Sequence, residues 1–377
     1  MGDVASFTNG RAYKQDELLD KGKYRVLRVG NLYTNDSWYY SNMELDDKYY
    51  INKGDLIYTW SATFGPHIWD GERAIYHYHI WKVELSDYLD KKFATQLLEI
   101  DKTKLLSNTN GSTMVHITKN GMENKQVILP SITEQSCIGK LLRNLDQTIT
   151  LHEEKKHQLE QLKSALLQKM FADKSGYPPV RFEGFSDEWE QSKLGDVCEE
   201  VSGNNGNVKG LPILTISAAN GWMNQKDRFS QVIAGNELKK YTLLKKGHLA
   251  YNHGNSKQAK YGTVFVQNLY DQALVPRVYH SFKMKTENNP YYVEYYFATK
   301  KLDRELARLV TSGARMDGLL NINKKDFFKI KFEVPTPVEQ SLISTILQAL
   351  DQTITLHDQK LSLLKRVKQT LLQKMFI

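Results

Sequence analysis

DQTITLH occupies positions 146–152, and the same seven letters return at 351–357, 205 positions later. A coincidence of that length is improbable, so the chain performs one structural task twice. Outward from it, PSITEQS (130–136) matches PTPVEQS (335–341), and LLQKMF (166–171) matches LLQKMF (371–376), always at the same spacing. Residues 130–171 are therefore duplicated as a block. Earlier matches keep other spacings: GDV at 2–4 and 195–197, GDLIYTWSAT at 54–63 and GHLAYNHGNS at 247–256, FAT at 93–95 and 297–299. The changing offset means that the segments before each block carry insertions relative to one another.

Each block reads as a long helix. Ile138, Leu142, Leu145, Ile149, Leu159, Leu162, Leu166 and Met170 recur at threes and fours, as do Ile343, Leu347, Leu350, Ile354, Leu361, Leu364, Leu371 and Met375. Pro130, Pro335 and Pro337 stand at or before the start, and Gly139 is the only glycine inside. At roughly 1.5 Å per residue, about 36 residues make a rod on the order of 55 Å. Its apolar stripe needs a cover, and the other rod is the natural one. The seam then holds Leu145, Ile149, His152 and Leu159 against Leu350, Ile354, His357 and Leu364. The two histidines have no further ligand at i+3 or i+4, so they read as register-setting polar residues rather than a metal site.

Between the helices the pattern changes. YRVLRV (24–29), DLIYTW (55–60), AIYHYHIWKVEL (74–85), LPILTIS (211–217), HLAYN (248–252) and GTVFVQ (262–267) alternate and are rich in β-branched and aromatic residues, which is strand grammar. Shorter helical stretches follow at 87–100 and 291–310, with Ser86 or Asp87 and Asn288 or Asn289 as the expected caps. The expected fold class is α+β: two mixed α/β domains separated by two long helices that form an antiparallel coiled coil, as a pseudo-twofold repeat. The boundaries expected are 1–129 for the first domain, 130–172 for the first helix, 173–334 for a linker and the second domain, and 335–377 for the second helix. YPPVRFEGF (177–185) serves as the linker, with two prolines where a helix must stop. One helix leading out and the other leading back would set the domains at opposite ends of a rigid spacer.

Composition narrows the function. With 41% hydrophobic and 25% charged residues, the chain is of ordinary globular make-up. No apolar run approaches a membrane span and the N-terminus lacks the order of a signal peptide, so a cytoplasmic protein without a membrane partner is expected. Two cysteines, Cys137 and Cys198, offer no disulfide framework. A net charge of +8 and a pI near 9.0 suit a polyanionic partner.

Catalytic motifs find no duplicated home. NNPYY (288–292) resembles the Asn-Pro-Pro-Tyr loop of adenine methyltransferases only in outline, and the repeat assigns it to a helix start. GNNGNVKG (203–210) lacks the Gly-Lys-Ser/Thr ending of a phosphate-binding loop. Asp70 and Glu72 form no acidic cluster shared by both halves. Neither a bound cofactor nor a metal is expected on this chain.

Matching loops of the two halves instead carry side chains suited to base edges and phosphates. TWSATFGPH (59–67) stands against NHGNSKQAKYG (252–262), and SNTNGSTMVHITK (107–119) against TSGARMDGLLNINK (311–324). The candidate DNA-binding residues are Thr59, Trp60, Ser61, Thr63, Asn110, Ser112 and Thr113 in the first half. In the second they are Asn252, His253, Asn255, Ser256, Lys257, Lys260 and Arg315. Loops that keep their place while changing their letters suit two readers of different sequences.

The duplicated PxxxEQ helix openings, the repeated DQTITLH and LLQKMF, and the joining stretch YPPVRFEGFSDEWEQSKLGDV together resemble the specificity subunits of Type I restriction-modification systems, over essentially the whole chain. The resemblance implies a non-catalytic subunit with two target recognition domains, each reading half of a bipartite double-stranded DNA site. It also implies two modification subunits supplying S-adenosylmethionine and adenine methylation, and restriction subunits adding ATP- and magnesium-dependent translocation and cleavage. The outward faces of the helices, with lysines such as Lys155 and Lys163, are the expected docking surface. RFEGFSDEWEQSKL precedes GDV in the second half, whereas the first half opens on Met1 and GDV, so the first domain is expected to lack that lead-in. The alternatives from other classes are a coiled-coil scaffold with two protein-binding domains, or an enzyme with its own chemistry.

Overall fold

The duplicated blocks form two unbroken α-helices, Ile132–Lys169 and Pro337–Met375, in the computed structural model. The structure describes residues 1–61, 63–108, 117–203, 210–228, 235–254, 256–285, 287–311 and 319–376. Compact packing divides the chain into two units: residues 1–154 with 359–377, and residues 155–358. Each unit thus contains one mixed domain, the opening half of the helix that follows it, and the closing half of the other long helix.

In the first unit, a four-stranded antiparallel sheet runs in the order Ala5–Asn9, Ile80–Leu85, Leu56–Thr59, Gly65–Ile68. Alternation along these strands turns Phe7, Leu56, Tyr58, Trp81 and Val83 into one core, against Phe93 and Leu98 of the helix Lys91–Asn108. Ile138 and Leu142 close that core from the first long helix, and Leu371, Leu372, Met375 and Phe376 pack on it from the second. A second sheet, ordered Tyr39–Ser41, Tyr24–Leu27, Ala74–Tyr76, Tyr50–Ile51, contains the parallel pairing of Val26 with Ile75. The helix Lys91–Asn108 is capped by Asp90, whose carboxylate accepts the amides of Lys92 and Phe93 at 2.9 and 3.0 Å. The cap is therefore neither Ser86 nor Asp87, because the turn Ser86–Leu89 intervenes.

The second unit repeats the sheet order with Cys198–Glu200, His280–Met284, Leu249–Asn252 and Thr263–Val266. Phe282, Tyr251 and Val264 point into a core shared with Tyr292, Tyr296, Phe327 and Phe332. Asn289 caps the helix Pro290–Ala298, accepting the amide of Tyr291 at 2.9 Å, and Pro290 takes the first turn, where no amide is needed. NNPYY is thus a helix start.

Within each unit the halves of the long helices run antiparallel. Asp146 pairs with Lys368 and Glu153 with Lys365 in the first, at 2.5 and 2.6 Å; Lys156 pairs with Asp358 and Lys163 with Asp351 in the second, at 2.7 and 2.5 Å. Of the predicted seam, Ile149 is buried, while Leu145, His152, Leu159, Leu350, Ile354, His357 and Leu364 are half-buried. Leu361 is buried as well. Leu162, expected on the stripe, is exposed instead. Among the described residues, no helix is long and apolar enough to cross a membrane.

Candidate nucleic-acid interface

The same two motifs anchor each mixed domain to its helices. The glutamine of PxxxEQ is buried in both copies. Gln135 accepts the amide of Asp90 at 2.9 Å and donates to the carbonyls of Tyr88 and Pro130. Gln340 accepts the amide of Asn289 at 2.9 Å and donates to Asn288 and to the carbonyl of Pro335. Each glutamine therefore ties the start of a long helix to the start of the domain's own helix.

The aspartate of DQTITLH makes the second tie. One oxygen of Asp146 takes Lys368 and the other takes the Gln96 amide at 2.9 Å. One oxygen of Asp351 takes Lys163 and the other takes the Tyr295 hydroxyl at 2.8 Å. Gln96 and Tyr295 hold equivalent places, six residues after the capping Asp90 and Asn289. The lysines are likewise repeat-mates, 205 positions apart. This is the job the repeated heptapeptide does twice. Lys163 is accordingly turned to the seam and is not an outward docking residue, whereas Lys155 is exposed.

On this frame the strand ends carry the candidate loops. Thr59 and Asn252 are the last residues of equivalent strands, opposite Gly65 and Thr263. Thr59 is fully buried; its hydroxyl bonds the Gly65 carbonyl at 3.3 Å and the Tyr33 hydroxyl at 3.0 Å, and Tyr33 in turn meets His67 at 2.8 Å. Thr59 thus fixes the loop base and presents no atom outward. Trp60 and Ser61 are half-buried and Thr63 is exposed.

Trp60 belongs to an aromatic and histidine cluster that the sequence reading passed over. Its indole donates to the Tyr78 carbonyl at 2.9 Å and its ring stacks on Trp81 at 5.8 Å and meets His79 edge-on at 5.1 Å. His77, Tyr78 and His79 are mutually packed, and Arg28 with Asn35 joins His77 and His79 around a cavity of about 360 Å³. Burial, with His79 and Arg28 beside it, pushes the His77 imidazole down to about 4. The neutral ring can offer one donor and one acceptor, and the exposed Tyr78 a stacking face. The signal in the sequence was YHYHI itself, two histidines and two tyrosines on alternating positions next to a strand.

In the second unit the two flagged loops converge. His253 is buried, with its ring nitrogens 2.5 Å from the Leu320 carbonyl and 2.8 Å from that of Val278, and its own carbonyl accepts the Leu320 amide at 2.8 Å. It is a clamp between loops rather than a side chain free to meet a ligand. Asn252 is half-buried: it donates to the Ile216 carbonyl at 3.2 Å and accepts the Gly254 amide at 3.1 Å. Beyond the clamp, Ser256, Lys257 and Lys260 are exposed. Ser256 accepts the Ala259 amide at 3.1 Å to close a turn, and Lys260 lies over the Tyr261 ring. Gly262, at φ +83°, ends the loop where a β-carbon would sit 2.6 Å from the Asn252 carbonyl, so only glycine fits. Asn110, Ser112, Thr113, Asn255 and Arg315 lie outside the described residues. Among the described residues, no group of three metal-binding side chains gathers.

Residues 1–161 and 186–366 match the family of the Type I restriction modification DNA specificity domain. The chain is 28% identical over 169 residues to the specificity subunit of the Type I restriction enzyme EcoBI of Escherichia coli, covering 44% of this chain and 35% of that one. It is 25% identical over 211 residues to the specificity subunit of the Type I restriction enzyme MjaVIII of Methanocaldococcus jannaschii, covering 54% and 49%. These matches span half or less of the relatives' own lengths. The S subunit of a Type I restriction-modification system from M. genitalium superposes with a TM-score of 0.59 at 16% identity, covering 100% of this chain and 94% of that one, which shows a shared fold.

Proposed function

Since the chain belongs to the Type I restriction modification DNA specificity domain family, we propose that it is the non-catalytic subunit that reads a bipartite double-stranded DNA target, one half-site per unit. The observation that carries this reading is a constant frame under changing loops. Gln135 and Gln340, and Asp146 and Asp351, make the same ties in both units, while the loop between equivalent strands runs from Trp60 to Phe64 in one and from His253 to Gly262 in the other. A frame that is preserved while its loops diverge suits recognition of two different sequences. It does not suit two copies of one catalyst.

In this reading Trp60, Ser61, Thr63 and Tyr78 face the first half-site, and Asn252, Ser256, Lys257 and Lys260 face the second. Asn110, Ser112, Thr113, Asn255 and Arg315, outside the described residues, are kept as candidates on their residue types alone. Thr59 and His253 act beneath, by holding the loops in shape. Lysine supplies the phosphate attraction, and the hydroxyl and amide groups supply base-edge hydrogen bonds. The long helices set the spacing between the half-sites.

Two modification subunits dock on the outer faces of the helices, bringing S-adenosylmethionine, and restriction subunits bring ATP and magnesium. Repeated exposed apolar side chains support the docking: Leu141, Leu151 and Leu162 on one helix correspond, 205 positions on, to Ile346, Leu356 and Val367, all exposed. Their repetition suits two equal partners. The test is to add the chain to purified modification subunits and map methylated adenines. One bipartite motif should appear that depends on the chain; methylation by the chain alone, or an unchanged pattern without it, overturns the proposal.

A further inference from the structure

In the first unit, residues 28–37 form one wall of a hollow beside the loop that faces the first half-site. The Gly30 carbonyl accepts the amides of Tyr33, Thr34 and Asn35 at 3.2, 2.9 and 2.8 Å. The Asn31 side chain accepts the Arg28 amide at 3.1 Å and donates to the Ser37 carbonyl at 2.8 Å. These bonds preset the shape of the wall, and Tyr33 ties it to the strand-end loop through the Thr59 hydroxyl at 3.0 Å. His77 and His79, with rings 5.0 Å apart, line the same hollow with Arg28, Val29, Gly30 and Asn35. The hollow is the cavity of about 360 Å³, and it borders Trp60, whose ring meets His79 at 5.1 Å.

The chemistry of the hollow is one-sided. No carboxylate lines it. The Arg28 guanidinium lies 4.2 Å from the centre of the Tyr39 ring, and none of its five N–H donors meets an acceptor among the described residues; its Nε is buried without one. A buried donor in that condition is costly unless an acceptor is supplied. Asn35 spends its oxygen on the Ser37 amide and hydroxyl, at 2.9 and 2.7 Å, which leaves its amide N–H groups to give. His77, kept neutral by burial, adds one more N–H.

Shape separates the two kinds of acceptor that DNA offers. Base edges lie on the floor of a groove about 8.5 Å deep and are reached by side chains that protrude, whereas phosphates stand out from the duplex. A recessed hollow lined with donors fits the group that stands out. We propose that this hollow seats one backbone phosphate of the first half-site, held by Arg28 and Asn35 with His77 beside them. The proposal rests on the DNA-recognition reading and adds to it a contact that positions the duplex without specifying its sequence. Arg28 thereby sets the register in which Trp60 and Tyr78 meet the DNA.

The experiment uses the chain assembled with its modification subunits and two duplexes, one carrying the motif that the complex methylates and one with that motif scrambled. Filter binding at four salt concentrations reads the contact. Arg28→Ala should weaken both duplexes by about tenfold and lower the slope of log K on log salt by about one. The methylated motif should stay the same. Arg28→Lys should keep the slope, because it keeps the charge. Arg28→Gln, a second neutral variant, gives the reading where Arg28→Ala fails to fold. Replacing the phosphates of the first half-site one at a time by neutral methylphosphonates should reveal one position that weakens wild-type binding and has no further effect on the neutral variants. Unchanged affinity and slope overturn the proposal, as does a scan with no position that the neutral variants silence. A changed first half-site in the motif also overturns it, because Arg28 would then read a base. So does stabilisation by inorganic phosphate that the neutral variants cancel while DNA affinity is unmoved, since the hollow would then serve a free anion. Recognition itself is read separately, by whether any motif depends on the chain, so the two readings fail independently.

Discussion

Lys163 donates to Asp351 at 2.5 Å across the two long helices, and the partner carboxylate oxygen of Asp351 holds Tyr295. A single side chain thus joins three helices, two of them long and one belonging to the recognition domain. The pair is partly exposed, so a Lys163→Ala, Asp351→Ala double-mutant cycle should show a coupling of only about 0.5–1 kcal/mol. Tyr295→Phe should cost about 1 kcal/mol, because it leaves half of the tie unmade. Urea denaturation of the four variants measures both; additive single mutants would remove the junction from the account.

The glutamates of the duplicated PxxxEQ should behave unequally. Glu339→Ala removes the fully buried carboxylate that holds the half-buried Arg181 and the Trp189 indole, and should destabilise the second unit by about 1.5–3 kcal/mol. Glu134→Ala, at the exposed copy, should stay within about 0.5 kcal/mol. Hydrogen exchange resolved by unit separates the two effects, and equal losses would contradict the assignment.

A third expectation concerns pH. The Glu294 carboxylate accepts the Val266 amide at 2.6 Å beside a cavity of about 650 Å³ that Lys163 and Asp351 also line, and burial raises its carboxyl from 4.5 to about 7. The folded chain therefore keeps a proton that the unfolded chain releases, so this residue costs stability progressively from pH 4.5 to 7, and the cost is constant above. Glu294→Gln should flatten that slope and gain on the order of 1–3 kcal/mol at pH 8. The measurement is the thermal midpoint across pH 4 to 9 for both proteins; parallel curves would place the slope on another group.

Sequence alone exposed the helices because their letters are repeated without a breaker, and the sheet segments because alternation is a local property. The ties between them were hidden. Asp146 and Asp351 are identical, but their partners Gln96 and Tyr295 share no chemistry that a pattern search could match, and their equivalence depends on capping Asp90 and Asn289 lying at an offset of 199 instead of 205. Leu162 read as a seam residue since a period of three and four persists on paper, whereas a helix of 3.6 residues per turn drifts away from a straight partner. Thr59 and His253 looked like ligands because their residue types suit DNA. Their position at a strand end turned them inward, where Tyr33, Gly65, Leu320 and Val278 satisfy them.

For DNA binding, Lys257→Ala and Lys260→Ala should each weaken affinity for all sequences alike and lower the dependence of log K on log salt by about one, as loss of one phosphate contact does. Both side chains are exposed, so folding should be unchanged. Filter binding at four salt concentrations checks this, and an unaltered salt slope would take these lysines out of the interface.

If a constant frame carries two independent readers, one of them can be replaced alone. Residues 196–333 precede the second long helix, so they can be exchanged for the corresponding segment of a relative without replacing Gln135, Asp146, Gln340 or Asp351, provided that Asn288, Asn289 and Tyr295 are retained in the new segment as the partners of Gln340 and Asp351. Methylome sequencing of cells carrying the exchanged chain with its modification subunits reads the outcome. The expected motif has one new half-site, with the other half-site and the spacer kept. A motif in which both half-sites change, or neither does, would contradict it.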